Sequence, residues 1–342
     1  MKTFIDFLKF RFKANTNLDL EVPDEEAPFK AMKAIIKSFG FSSSDLLEVG
    51  SKVRGKDGWE FRKPLILAGD QEIAWIDYGG KTQRGWCRFQ MRGEGCGWIS
   101  RWDLMADGLD DLGAEIMRVD VALDFFGGEV SHDNVLAAYD AGLFKRREGG
   151  RNPKLKKIET SCQTDGRTVY VGSRDSARFI RCYEKGWEMV AKAKVPEWVK
   201  ANGETVFYFR PGVATKAKDY YRIEVELKDS DGVVVPTRVL REPDSFFAGA
   251  APWFETLLDA APVRTVAPPS DFNAVQLIDS SILHCKRAYG GLFNVLLNRF
   301  KREGESIEVT KARVFDALCS DEPSARLVSA GCLSLPVQGI DF

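Results

Sequence analysis

Along the first hundred residues the spacing of apolar positions changes twice. MKTFIDFLKFRFK is basic and apolar, interrupted by charge, and fits an amphipathic helix or strand. Residues 25–48 (EEAPFKAMKAIIKSFGFSSSDLLE) carry a helical period that ends near Gly40 and leads into a Ser-rich cap. KPLILAG, EIAWIDYGG and GWCRFQMRGEG then predict short antiparallel strands joined by Gly-containing turns. WDLMADGLDDLGA (102–114) predicts a helix feeding the strand MRVDVALDFF. SHDNVLAAYDAGLF (131–144) predicts a helix with Ser131 at its cap. RTVYVGS, RFIRCYEKG and DYYRIEVELKD predict three further strands, with a helical stretch broken at Pro196 between the last two. No internal repeat is visible.

The pattern therefore predicts an α+β fold: a largely antiparallel sheet with helices on one face and the active site on the other, plus a small helical C-terminal region. The domain plan is 1–261, divisible into sheet halves of about 1–115 and 116–261. A Pro-rich linker at 262–271 and a helical domain at 272–342 follow.

Strand side chains alternate between faces. One face of 117–125 carries Arg118, Asp120 and Asp124; one face of 221–228 carries Arg222, Glu224, Glu226 and Lys228; one face of 179–185 carries Arg181, Tyr183 and Lys185. Acids are depleted on ordinary strand faces. Two accounts fit four of them there: cross-strand salt bridges with Arg118 and Arg222, or a hard divalent cation, Mg²⁺ or Mn²⁺, that takes oxygen ligands. The pattern alone favours the salt bridges.

Composition narrows the chemistry. The 342 residues include only two histidines, so histidine-based catalysis and His-rich metal sites have little material. Seven cysteines, an odd number at wide spacing with no C-x-x-C, point to reduced thiols in a cytoplasm. No apolar run approaches the roughly 20 residues of a membrane span. The net charge of -1 hides a local excess: residues 145–157 (KRREGGRNPKLKK) hold seven basic residues and one Glu. Charge alone leaves open whether that segment is a solvated loop or a nucleic-acid contact. Gly79-Gly80-Lys81-Thr82 looks like the end of a phosphate-binding loop, but position 75 is Trp and a strand follows, so a hairpin turn is expected. Cys182, on the face opposite Tyr183, is expected to be a buried structural thiol.

TVYVGSRDSARFIRCYEKGWE (168–188) resembles the signature of the Rep-trans family of rolling-circle replication initiators, which is related to conjugative relaxases. The matching positions are Tyr170, Gly172-Ser173-Arg174, Ser176, Arg181, Tyr183 and Lys185. RGKDGWEFR (54–62), MRGEGC (91–96), RVDVALD (118–124) and RIEVELK (222–228) agree with it in type and order, over roughly residues 45–260. Length and the linked strand pair are closest to filamentous-phage members; the last 70 or so residues match nothing.

The resemblance implies an enzyme that nicks one strand at an origin, stays joined to the 5′ phosphate through a tyrosine, and rejoins the strand at termination. Tyr183 is the implied nucleophile, with Tyr170 its rival and Tyr220 or Tyr221 behind. Tyrosine attacks poorly at its free pKa near 10, and Arg181 and Lys185 could supply a positive field favouring the phenolate. Asp120 and Glu224 are the implied primary metal ligands, and Asp124 and Glu226 are second candidates or groups that position Arg and Lys partners. Origin DNA, double- and single-stranded, would be held by Lys145, Arg146, Arg147, Arg151, Lys154, Lys156, Lys157, Arg174 and Arg178, with the Lys192–Lys200 stretch. Host helicase and polymerase machinery and a second copy of the chain stay open as partners; a membrane does not. A relaxase, a non-catalytic DNA-binding regulator on the same scaffold and an unrelated metal-dependent nuclease are the competing readings.

Overall fold

The computed structural model describes residues 2–13, 25–39, 47–67, 70–145, 150–159, 166–192, 206–210, 213–230, 233–265 and 292–318. The chain divides into two compact units, Met1–Val266 and Ala267–Phe342.

The first unit is built on one eleven-stranded sheet in which every pairing is antiparallel. Its first half comprises β1 (Phe4–Lys13), β2 (Leu47–Val49), β3 (Val53–Arg54), β4 (Phe61–Leu67), β5 (Gln71–Tyr78) and β6 (Trp86–Arg92). The second comprises β7 (Glu115–Phe125), β8 (Leu155–Ile158), β9 (Thr168–Val171), β10 (Arg178–Tyr183) and β13 (Tyr221–Lys228). A separate hairpin, β11 (Val206–Arg210) with β12 (Val213–Lys216), precedes β13.

Strands β1 and β7 pair at the centre. Outward from them, one half runs β1, β6, β5, β4, β2 and the other β7, β13, β10, β9, β8, with β3 beside β4. The two halves thus repeat one order of strands about the β1–β7 seam, although the sequence shows no repeat.

Alternation decides which face is covered. Leu8, Phe10 and Phe12 of β1, Val119, Val121 and Leu123 of β7 and Ile223, Val225 and Leu227 of β13 form one apolar face. Against it lie residues of α1 (Ala27–Ser38), α3 (Trp102–Asp111), α4 (His132–Asp140), α6 (Pro243–Ala248) and α7 (Pro252–Glu255); α2 (Gly93–Cys96) is a single turn after β6. Phe10 stacks on Phe89 with centroids 4.6 Å apart, and burying each such ring contributes roughly 1.5–3 kcal/mol. Ser131 caps α4 in a reciprocal box with Asn134.

Two expectations change. Lys156 and Lys157, read as part of a loop, lie on the edge strand β8, which pairs with β9. Lys185 is not on the strand of Tyr183: β10 ends at Tyr183, Glu184 turns to bind Arg167, and Lys185 opens α5 (Lys185–Lys192). A Cβ on Gly186 would lie 2.0 Å from the Ala217 carbonyl oxygen, so that close approach requires glycine where the chain turns. In the second unit, residues 292–300 and Ile307–Leu318 are helices.

Candidate active site on the open sheet face

The uncovered face of the second half carries the ionisable groups. Cross-strand register aligns Arg181 with Glu224, Tyr183 with Arg222, Phe179 with Glu226, and Glu226 with Asp120. Paired residues share a face, so Tyr183, Arg181, Asp120, Glu224 and Glu226 converge there. They line an open cleft of about 1530 Å³ together with Asp6, Asp124, Lys185, Tyr170, Tyr220 and Arg222, Glu226 lying just beside it.

Each acid is engaged by an arginine. Arg118 grips Asp120 through two bonds of 2.8 and 2.7 Å and reaches Glu226 at 2.7 Å. Arg222 grips Asp124 at 2.6 and 2.9 Å. Arg181 Nη2 lies 2.7 Å from Asp120 Oδ2 and 3.0 Å from Glu224 Oε2. The cation joining those two acids is therefore a guanidinium. The salt-bridge account of these acids is what the arrangement shows.

The Tyr183 hydroxyl donates to Glu224 Oε1. Burial, and then the charge of Glu224, push its pKa well above the ordinary tyrosine value, against Arg222. The resting side chain is a phenol with an acceptor, and not a phenolate held by Arg181 and Lys185. Lys185 Nζ sits 5.5 Å from the centre of the Tyr183 ring and is bound to Glu188 at 2.9 Å. Of the rival tyrosines, Tyr220 donates to Asp124 at 3.0 Å, Tyr221 is buried in the core cluster on the covered face, and Tyr170 stacks on Phe179 at 5.4 Å with Arg174 above both rings.

Asp6 escaped the sequence reading. A register shift in β1 between Ile5 and Phe7 turns it into the cleft, where Arg222 donates to it at 3.3 Å. Burial raises its pKa to about 6; Arg222 opposes this and Glu224 adds to it. A lone Asp inside the apolar run FIDFLKF is the signal that could have found it. The Gly-x-Gly-Cys turn packs beside it: a Cβ on Gly93 would lie 2.7 Å from Asp6 Oδ1, and one on Gly95 2.3 Å from the Ile73 carbonyl.

These acids suit a hard cation in kind, being oxygen donors only. Each acid is already bound to an arginine, however, so an ion would have to displace a guanidinium such as that of Arg181 from Asp120 and Glu224. Among the described residues no group of three His, Cys, Asp or Glu is gathered to hold one as the side chains stand.

The DNA-contact candidates scatter. Arg174, Arg151, Lys154, Lys156 and Lys157 are exposed, and Lys156 pairs with Tyr170, which puts it on the cleft face. Arg178 lies on the opposite face and donates to the Phe144 carbonyl at 3.3 Å, because its alternation is that of Ile180 and Cys182. Lys145 is half-buried; Arg146, Arg147 and 193–200 lie outside the described residues. Cys182 is buried as expected. Gly79 and Gly80 take positive φ in the turn between β5 and β6. No helix among the described residues is long and apolar enough to cross a membrane.

Residues 114–256 match the model of the family described as replication initiation factor. The matched stretch runs from β7 into α7 and holds the whole cleft constellation except Asp6; the segments at 54–62 and 91–96 fall outside it. A rolling circle replication initiator protein from Geobacillus stearothermophilus is a similar solved structure, at 20% identity, covering 72% of this chain and 83% of that one, with a TM-score of 0.48. No curated protein matches.

Proposed function

We propose that this chain initiates rolling-circle replication by binding origin DNA and nicking one strand, with Tyr183 as nucleophile. The observation that carries this reading is the Tyr183–Glu224 contact at the mouth of a cleft rich in acids and arginines, inside the stretch that matches replication initiation factors.

Glu224 takes the phenol proton as the Tyr183 oxygen bonds to phosphorus. The bond from phosphorus to the 3′ oxygen breaks, and that oxygen takes a proton, for which Lys185, with its Nζ 5.5 Å from the centre of the Tyr183 ring, is the candidate donor. The product is a 5′-phosphotyrosine and a free 3′ hydroxyl. The phosphodiester's energy is conserved in the new ester, so the reverse attack closes the strand without a nucleotide cofactor. Arg181 and Arg222 offset charge on the phosphate oxygens. A divalent cation would be held by Asp120 and Glu224, with Asp124 and Glu226 in support, and would supply further charge neutralisation at the phosphate.

The test is incubation of the protein with Mn²⁺ and a supercoiled plasmid bearing its origin. Nicked circles with protein on the 5′ end support the proposal. Adduct formation by a Tyr183→Phe variant would remove Tyr183 from this role.

A further inference from the structure

The open face of the first sheet half has the opposite character. Its strands present Lys9, Arg11 and Lys13 from β1 and Arg88 and Arg92 from β6; Trp86 lies opposite Lys13 and Trp75 opposite Gln90. The register from Phe7 to Asp120 and from Lys9 to Arg118 places this surface on the same side of the sheet as the Tyr183 cleft, and Trp75, Phe7 and Arg92 line that cleft's far end.

Some of these cations are matched. Arg11 is bound to Glu115 at 2.5 Å, and Arg62 and Arg88 share the fully buried Asp77. Among the described residues Lys9, Lys13 and Arg92 have no carboxylate partner. Burial, and then the neighbouring Arg88 and Arg118, hold the Lys9 pKa down, with Asp57 and Asp77 opposing them. The rings are interleaved with the cations: Arg11 lies 4.7 Å and Lys13 5.4 Å from the Trp86 ring, and Arg92 4.7 Å from Trp75. Trp86 is only half-buried.

We propose that this half-sheet is a platform for single-stranded DNA running from Tyr183 across β13, β7, β1 and β6, with Trp86 as a base-stacking residue and Lys9, Lys13 and Arg92 as phosphate contacts. Unpaired bases stack on aromatic rings while their backbone follows a positive groove; a duplex keeps its base faces to itself and would leave Trp86 unused. From β10 to β6 is four strand spacings, about 19 Å at about 4.8 Å each. Trp86, opposite Lys13, also lies some eleven residues along β1 from the row of Tyr183, Arg222 and Asp124, about 36 Å at about 3.3 Å each, so the diagonal of about 41 Å accommodates roughly twelve nucleotides at about 3.4 Å per step. The charge contrast across the seam assigns the division of labour: acids where the reaction takes place, cations where the strand lies. This rests on the nicking proposal only for the direction of the strand.

The test uses the full chain carrying Tyr183→Phe, so that no cleavage intervenes, and a fluorescent single strand and its duplex as probes. Single-strand binding should exceed duplex binding. Trp86→Ala should weaken it by about five- to 150-fold, the range of one lost base stack, and Trp86→Phe should recover most of it. Lys13→Gln with Arg92→Gln should lower the salt slope by about 1.4, at about 0.7 per phosphate. These last two changes lie on the sheet surface and keep the test open if Trp86→Ala fails to fold. Unchanged affinity and slope in all of them, or a preference for duplex, would overturn the platform. The same result alongside normal adduct formation by the unmodified protein would leave the nicking proposal standing; a functioning platform with no adduct would do the reverse.

Discussion

The Tyr183 hydroxyl donates a hydrogen bond to the Glu224 carboxylate across the β10–β13 pair. Glu224→Gln keeps a partner of the same size but removes the charge that accepts the proton. Adduct formation should fall by about 10²- to 10⁴-fold, with DNA affinity changed little. Single-turnover adduct assays against binding isotherms check this; an unimpaired rate would release Glu224 from the base role.

Tyr170→Phe and Tyr220→Phe should both retain adduct formation, because the Tyr170 ring packs on Phe179 and the Tyr220 hydroxyl is committed to Asp124. Mass spectrometry of the trapped adduct should find the nucleotide on Tyr183 in both variants.

Adduct formation should stop in excess chelator and return with Mn²⁺ or Mg²⁺. The melting temperature should hardly move, since Arg118, Arg181 and Arg222 already neutralise the acids without an ion. Equal adduct yield in chelator would remove the cation from the reaction.

Asp77 has no exposed surface and pairs with Arg62 at 2.6 Å and Arg88 at 2.7 Å. Asp77→Ala strands the Arg62 guanidinium and leaves Arg88 only Asp57, at 3.0 Å, and breaking a buried pair from one side costs about 3–5 kcal/mol. Urea titration should show a loss of that order; a change below 1 kcal/mol would show that water replaces the carboxylate.

His132 Nε2 lies 3.2 Å from Glu159 Oε1, and since a carboxylate only accepts, Nε2 carries the proton. Nδ1 is buried without a partner. Burial, then Arg167, hold the pKa of His132 below its ordinary 6.5. A depressed pKa contributes stability that is present above 6.5 and lost as pH falls through the folded-state value. Melting temperature should therefore decline below pH 6.5, and less so in His132→Asn.

How much of this was legible in the sequence depends on how local each feature is. The alternation in RVDVALD and RIEVELK placed the acids on one face because a strand's faces are set by its own residues. The Ser131 cap was legible for the same reason. Asp6 was not, because one register shift in β1 moves it from an ambiguous position into the cleft. The partner of Tyr183 was not legible either, since it depends on β10 meeting β13 in a register that joins residues 43 apart (Arg181 with Glu224). Lys185 was misplaced by assuming that β10 continued past Glu184. The central position of β1 follows from pairings with β6 and β7, which no local pattern encodes.

That position bears on synthesis. Strand β1 is synthesised before the rest of its sheet, yet its nearest partner in sequence, β6, begins at Trp86. At roughly 5–20 residues per second, the nascent chain holds Leu8, Phe10 and Phe12 unpaired for about 4–15 s. Lys9, Arg11 and Lys13 alternate with them and so act as gatekeepers against aggregation during that interval. The cations proposed to meet DNA in the finished protein would then first serve to keep an orphan strand soluble.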